Sequence, residues 1–455
     1  MILLFLLYGA IVVAISLWYR KHSTGDEYLM GNRQTSALLV ASALFTLIGG
    51  GELVTLTALS YTYGFAALSL FGGYALSFCF LGFIAKRIRK DGAEQVNLSL
   101  PDYVHSKYGT MAGQIVYLIS FGAFFSMLLI QFIAGGQVIS ALTSLSYTQS
   151  VLLTAAICTT YLFIGGFKTV LATDLLQGMA RLLLMPLLVF VAAKGLTNTI
   201  QIKHVDVLPG SIWISLIVTG FFSASSSADV WQRIYVAKSN TSARIGLISG
   251  AALMMLFGVA LVVLGLIAKN SGTITNADNA FVQSLSTMLP HWALIVAIIL
   301  VLSTVMSTAD TEMFLLSGMT LREILRLRGE RKNNEIKNKQ SVIGTRILMV
   351  IITSSAVLLS LKFNNLISIY TWLLSALLIM APMILASLFF PNSIQAGRIS
   401  LILNLALFVI LIFIGILTPD NSYLIVIPGL LVYALTYLFF RDKHNVADTA
   451  NEKFE

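Results

Sequence analysis

Three glycines and a carboxylate, Gly49-Gly50-Gly51-Glu52, lie inside the apolar stretch LFTLIGGGELVTL (44–56). Each glycine costs about 1 kcal/mol relative to alanine in a helix interior. Three in a row at mid-span predict an unwound point, which frees backbone carbonyls; a close helix-packing face is the other reading. Further along, Thr304, Ser307, Thr308 and Thr311 fall at i, i+3, i+4 and i+7 and share one helix face, with Asp310 beside them. Hydroxyls and freed carbonyls are the oxygen ligands that hard cations favour. Such hydroxyls can also bond back to their own helix.

A second interruption is "TGFFSASSSADVWQR" (219–233), with Ser223, Ser225, Ser226 and Ser227 at mid-segment. Ionisable residues at depth are Glu52, Asp174, Asp229, Arg233, Asp310 and Glu312. Such residues inside an apolar span are functional candidates by default. Asp229 and Arg233, four apart, are expected to pair with each other. A lone buried carboxylate is costly, so Glu52 must pair, titrate or meet the positive part of a ligand.

The elements that carry these residues are apolar helices. The 455-residue chain is 57% hydrophobic and 11% charged, well below the charge of a soluble domain. Apolar stretches of 18 or more residues recur to about position 440. Thirteen spans fit, giving an all-α polytopic membrane protein in one transport domain, 1–455. Residues 1–35 form a peripheral first helix and inner loop, with no signal-peptide cleavage site. Residues 398–440 form two peripheral helices, and 441–455 a cytoplasmic tail. Lys and Arg concentrate in alternate loops; the others hold only Lys194, Lys203, Lys269 and Lys362. The positive-inside rule then sets the N-terminus outside and the C-terminus in the cytoplasm. It also explains the net charge of +9 without nucleic acid. The basic run 319–341 is expected to anchor topology in solvent, and 271–290 to hold a short surface helix. Cys79 and Cys158 read as packing residues, not a metal site or disulfide. No P-loop, dinucleotide fingerprint or nucleophile elbow is present, which argues against an enzyme or an ATP-driven pump.

The two interrupted helices begin five spans apart. Five is odd, so the second set starts on the opposite face, as in an inverted repeat with a midplane site. Repeat 1 is 36–198 and repeat 2 is 211–392.

The stretches "DEYLMGNR" (26–33), "GGFKTVLATDLLQG" (165–178), "ADVWQRIYVAKS" (228–239) and "STVMSTADTE" (303–312) resemble the sodium/solute symporter family, in its order and spacing over roughly 1–440. The resemblance implies a LeuT-like five-plus-five inverted-repeat core and sodium-driven symport in the cytoplasmic (inner) membrane. It also implies a sodium site built from the carbonyls of Thr46, Gly49 and Thr304 and the hydroxyls of Ser307 and Thr308. A second cation site would use Asp174, Ser307, Asp310 and Thr311, so one or two sodium ions are expected and no organic cofactor. Here the chain departs from those relatives, which carry serine at the position of Asp310. The proline transporters carry an aspartate at the position of Ile48 and an aromatic residue at that of Glu52, so their substrate is not transferred.

The expected partners are a small-molecule substrate and the lipid bilayer, with a monomeric transport unit. The substrate cavity is expected at Gly50, Gly51, Glu52, Phe221, Phe222 and Ser225, with Gln131, Tyr370 and Trp372 as further candidates. An amino acid or another zwitterionic or cationic metabolite fits Glu52. Proton coupling through Glu52, Asp174 or Asp310 is the competing reading, and a transporter-like sensor is the alternative of another class.

Overall fold

A computed structural model of the chain describes residues 2–20, 33–94, 97–195, 210–274, 276–329, 339–363, 366–390, 394–417 and 419–440. Most of the motif 26–33, the end of the basic run (330–338) and the tail 441–455 lie outside them. After α1 (Ile2–Arg20) comes an interrupted pair, α2 (Ala37–Phe45) and α3 (Gly50–Tyr63). Then follow α4 (Leu68–Glu94), the short α5 (Leu100–Tyr108), α6 (Thr110–Leu142), α7 (Tyr147–Gly165) and α8 (Phe167–Gly195). The same order returns: an interrupted pair, α9 (Gly210–Ser225) and α10 (Ala228–Val236), then α11 (Asn240–Asn270) and the short α12 (Ala280–Met288). Three long helices complete it, α13 (His291–Leu327), α14 (Lys339–Ser360) and α15 (Leu366–Phe389). Helices α16 (Ile394–Phe413) and α17 (Val426–Phe440) close the chain.

Ten helices among the described residues are long and apolar enough to cross a membrane, eleven with the bent pair α9/α10. The expected thirteen is not reached on that measure, for two reasons. The apolar part of α1 is short, Leu7–Trp18, and α3 runs through a tight turn into α4 over 43 residues. The expected surface helix within 271–290 is α12, although its Ala280, Phe281, Ser284 and Leu285 are buried.

Helices α2 and α3 pack against α11, and α2 also meets α8 while α3 meets α6 and α13. The strand-like segment before α2 ties the two interrupted pairs together. Thr35 N–H donates to Val236 O (3.1 Å), and Lys238 N–H donates to Thr35 O (2.9 Å).

The three glycines divide between the two readings. The interruption occupies 46–49, whereas Gly50 and Gly51 already belong to α3. There they permit close approach: a β-carbon on Gly50 would collide with Val305 Cγ2, and one on Gly51 with Ile130 Cγ2. Small residues let membrane helices meet at their backbones. Gly51→Ala is expected to destabilise the fold by about 1–3 kcal/mol through overpacking. Adding Ile130→Ala removes the clashing methyl, so a double-mutant cycle read by thermal unfolding should show partial rescue. Purely additive losses would refute the contact.

The basic run is not wholly solvated. Helix α13 continues to Leu327, and Arg322 and Arg326, one turn apart, both reach Asp102 of α5. Glu323 accepts from Arg326 (2.5 Å) and meets His105 Nε2 at 3.1 Å. Burial and the adjacent Arg326 charge hold His105 below its ordinary value.

Candidate functional site

Helix α2 ends at Phe45 and α3 starts at Gly50, with Gly49 in an extended conformation between them. The first N–H groups of a helix lack partners within it. Glu52, in the first turn of α3, folds back so that its Oε2 accepts from Gly49 N–H (2.7 Å) and from Gln131 Nε2 (3.1 Å). Gln131 Oε1 accepts from Gly51 N–H (3.1 Å). This is a capping box completed by a side chain from α6. Glu52 is thereby fixed by the break it follows. Its second oxygen, Oε1, is buried without a hydrogen-bond partner.

The second break is built alike. Helices α9 and α10 meet at a 49° bend. Asp229, in the first turn of α10, accepts from Val230 N–H (2.6 Å) and from the Ser227 hydroxyl. Trp231 Nε1–H donates to Ser225 O (2.9 Å), across the gap. Each broken helix therefore restarts with a carboxylate at its positive end. The expected Asp229–Arg233 pair does not form. Asp229 is held by the helix start, and Arg233 turns to Asp174 (3.6 Å) and the Thr311 hydroxyl (2.9 Å).

Glu52 and Asp229 line one cavity, with about 610 Å³ of atom-free space, its mouth included. Tyr74, Tyr370, Ser223 and Ser227 contribute the other polar groups, and the Tyr74 and Tyr370 hydroxyls meet at 3.2 Å. The rest of the wall is apolar, including Phe78, Phe124, Met254 and Leu377. Among the described residues no Lys, Arg or His lines it. Of the residues named from sequence for the substrate, Glu52 and Tyr370 are in this wall. Gln131 supports Glu52 from behind, and Gly50 and Gly51 pack against Val305 and Ile130. Phe221 and Phe222 stack edge to face, with Phe221 against Phe80, outside the lining. Ser225 bonds back to Phe222 O. Trp372 is 37% exposed on the outer surface of α15. Asp229 and Tyr74, not named from sequence for the substrate, also line the cavity. The signal for Asp229 was present: it follows its break as Glu52 follows its own.

Of the five atoms expected to hold sodium, four are linked by hydrogen bonds where the first break meets α13: Thr46 O, Thr304 O and the Ser307 and Thr308 hydroxyls. Thr308 Oγ1 donates to Thr46 O (3.0 Å), which joins the two elements directly. Gly49 O accepts from Leu53 N–H (3.0 Å) as the start of α3. Thr304 O accepts from the Ser307 hydroxyl (3.1 Å). A further side chain enters this set, one not named from sequence for the site. Arg181 of α8 is fully buried. Its guanidinium donates to Ile48 O (2.9 Å), Ser303 O (3.4 Å), Thr304 O (3.3 Å) and the Ser307 hydroxyl. The residues expected at a second cation site are also engaged. Asp174 and Thr311 face Arg233, and Asp310 Oδ2 accepts from Tyr161 (2.6 Å) and Thr173 (3.2 Å). Among the described residues no group of three or more His, Cys, Asp or Glu is arranged to hold a metal ion.

The model of the sodium:solute symporter family matches residues 28–403. The chain belongs to this family. Its members are transporters and not enzymes, and membership supports sodium-coupled symport. A sodium/pantothenate symporter of Haemophilus influenzae is 31% identical over 179 residues, 38% of this chain and 36% of that protein. The chain thus spans only about a third of that relative's length in the match. The spermidine transporter DUR31 of Candida albicans is 23% identical over 376 residues, 77% of this chain and 67% of that one. Among solved structures, a Na+-coupled sialic acid symporter in a substrate-bound outward-open state superposes with a TM-score of 0.78. It is 14% identical and the match covers 95% of each chain. The fold is that of the LeuT-like transporters, all-α, with an interrupted helix opening each half.

Proposed function

We propose that this symporter uses inward sodium flow across the cytoplasmic membrane to import a small organic solute that carries at least one ammonium group. The observation that carries this reading is the cavity between the two helix breaks. It presents Glu52 and Asp229, and no basic side chain among the described residues, in a wall whose other groups are tyrosine and serine hydroxyls and apolar side chains. Buried carboxylates of this kind are costly without an opposite charge. An ammonium donates to them, while the tyrosine and serine hydroxyls and the apolar wall accommodate the remainder. The name of the Candida relative fits an amine; that of the Haemophilus relative points to an acid, on a match to a third of its length.

Sodium would sit between the first break and α13, on the carbonyls of Thr46, Gly49 and Thr304 and the hydroxyls of Ser307 and Thr308. It would fasten α2/α3 to α13 and so favour the outward-open state that accepts substrate. Coupling follows because ion and substrate stabilise the same conformation. The halves 36–198 and 211–392 would rock against each other in a monomeric transport unit, N-terminus outside and C-terminus inside.

The test is a thermal-stability screen of purified protein against amines, their neutral isosteres and carboxylates, in sodium and in potassium. An amine is expected to stabilise, more strongly in sodium. Stabilisation by a purely anionic compound would overturn the substrate class.

A second reading, proton coupling, has its own observation. Glu312 is fully buried and neither carboxyl oxygen has a hydrogen-bond partner, so it is the side chain placed to carry a proton. Uptake driven by an imposed proton gradient, with sodium equal on both sides, would favour it.

A further inference from the structure

The Arg181 guanidinium needs an explanation that fold stability does not supply. A buried charge is costly unless paired, and charged residues inside membranes pair with one another or with backbone carbonyls; among the described residues no carboxylate forms an ion pair with Arg181. The hydrogen bonds of the Arg181 guanidinium instead go to three carbonyls and a hydroxyl: Ile48 O in the first break, and Ser303 O, Thr304 O and Ser307 Oγ on α13. Backbone carbonyls and hydroxyls from a broken helix and its neighbour form a set suited to a small cation. Two of them, Thr304 O and Ser307 Oγ, belong to the proposed sodium ligands. The guanidinium also bridges the same two elements that the ion would bridge, α2/α3 and α13. It comes from α8 past the Phe45 ring, whose centre lies 6.0 Å from the guanidinium carbon.

We infer that Arg181 is a tethered cation that shares this oxygen set with transported sodium. It holds the first break against α13 when sodium is absent and withdraws when sodium enters. The inference rests on the sodium-site reading above and adds what that reading lacks, a residue that sets sodium affinity and lets the ion-free carrier keep its closed packing. Two positive charges crowded onto one set of oxygens repel each other, so ion and guanidinium compete.

The test compares wild type, Arg181→Gln and Arg181→Lys as purified full-length protein. Radioactive sodium binding and sodium-dependent thermal stabilisation are measured, with choline replacing sodium in the control. Arg181→Gln is expected to bind sodium at least 10-fold tighter than wild type. It should be less stable than wild type in choline and recover the difference in saturating sodium. Arg181→Lys keeps a charge on a shorter reach, so its sodium affinity should fall between the two. If Arg181→Gln does not fold, Arg181→Lys alone decides by the same shift. Wild type binding sodium with neither variant tighter overturns the tethered cation and leaves the sodium-driven reading standing. Sodium binding only in Arg181→Gln supports the tethered cation as a permanent occupant and sinks the sodium-driven reading. Sodium binding in none of the proteins overturns both.

Discussion

Asp229→Asn and Glu52→Gln, made singly, are each expected to weaken binding of the stabilising amine by roughly 30- to 150-fold. That is the effect of about 2–3 kcal/mol, the usual loss when one partner of a desolvated, hydrogen-bonded charge pair is neutralised. Each amide keeps an acceptor oxygen, so both helix starts remain capped, at Val230 N–H in the first variant and at Gly49 N–H in the second. The substitutions therefore separate charge from scaffolding. Sodium binding should stay within a few-fold of wild type, because the sodium oxygens belong to other groups. A neutral isostere of the amine should lose little, since it never met the charge. Equal weakening of amine and isostere would show that the two carboxylates only shape the cavity. Isothermal titration on purified protein reads all of these quantities.

The second large effect concerns stability at the inner end of α13. Asp102→Asn is expected to cost about 3 kcal/mol, because it leaves Arg322 and Arg326 without their shared carboxylate in a nearly buried site. An unfolding midpoint lower by roughly 5 °C would follow. The pH dependence is a sharper check. Burial alone would raise the Asp102 carboxyl, but the charges of Arg322 and Arg326, with the Leu98 N–H bond, outweigh it and lower the group to about 2. A depressed carboxylate contributes stability above its unfolded value of 3.8 and loses it as pH falls through about 2. The difference between wild type and Asp102→Asn should therefore be flat from pH 5 to 8 and shrink only in strong acid. A difference that changes between about pH 4 and 6.5 would assign the effect to His105 instead.

The broken helices were legible in the sequence because a bilayer leaves few choices. Glycines at mid-span or a serine run can persist at depth only where the freed backbone is buried or wetted, and both predicted interruptions are present at 46–49 and between α9 and α10. The hydroxyl stripe on α13 was legible for a similar reason: helical spacing alone puts Thr304, Ser307, Thr308 and Thr311 on one face. The count of thirteen spans was less secure. The spans 36–62 and 65–85 do part where α3 ends at Tyr63 and α4 begins at Leu68, and they merge only when helices are counted by length and apolarity.

The charges were misread where their partners lie on other helices. Spacing along α10 made Arg233 a neighbour of Asp229, yet the helix start claims the aspartate and α8 supplies Asp174. Arg181 was not named for the site from sequence, and its long side chain carries its charge from α8 to the first break. Gln131 read as a substrate group, and α6 delivers it as the support of Glu52.

The sequence by itself determined the membrane class, the family, the two interruptions and the face that carries the hydroxyls. Each is a local pattern of apolarity, glycine, serine or helical period. Tertiary structure alone decided which charge meets which. It turned Glu52 into a capping carboxylate with one free oxygen, brought Asp229 into the same cavity and set Arg181 among the oxygens proposed for sodium. Helix packing makes those neighbours, and electrostatic pairing depends on distance through space and not along the chain.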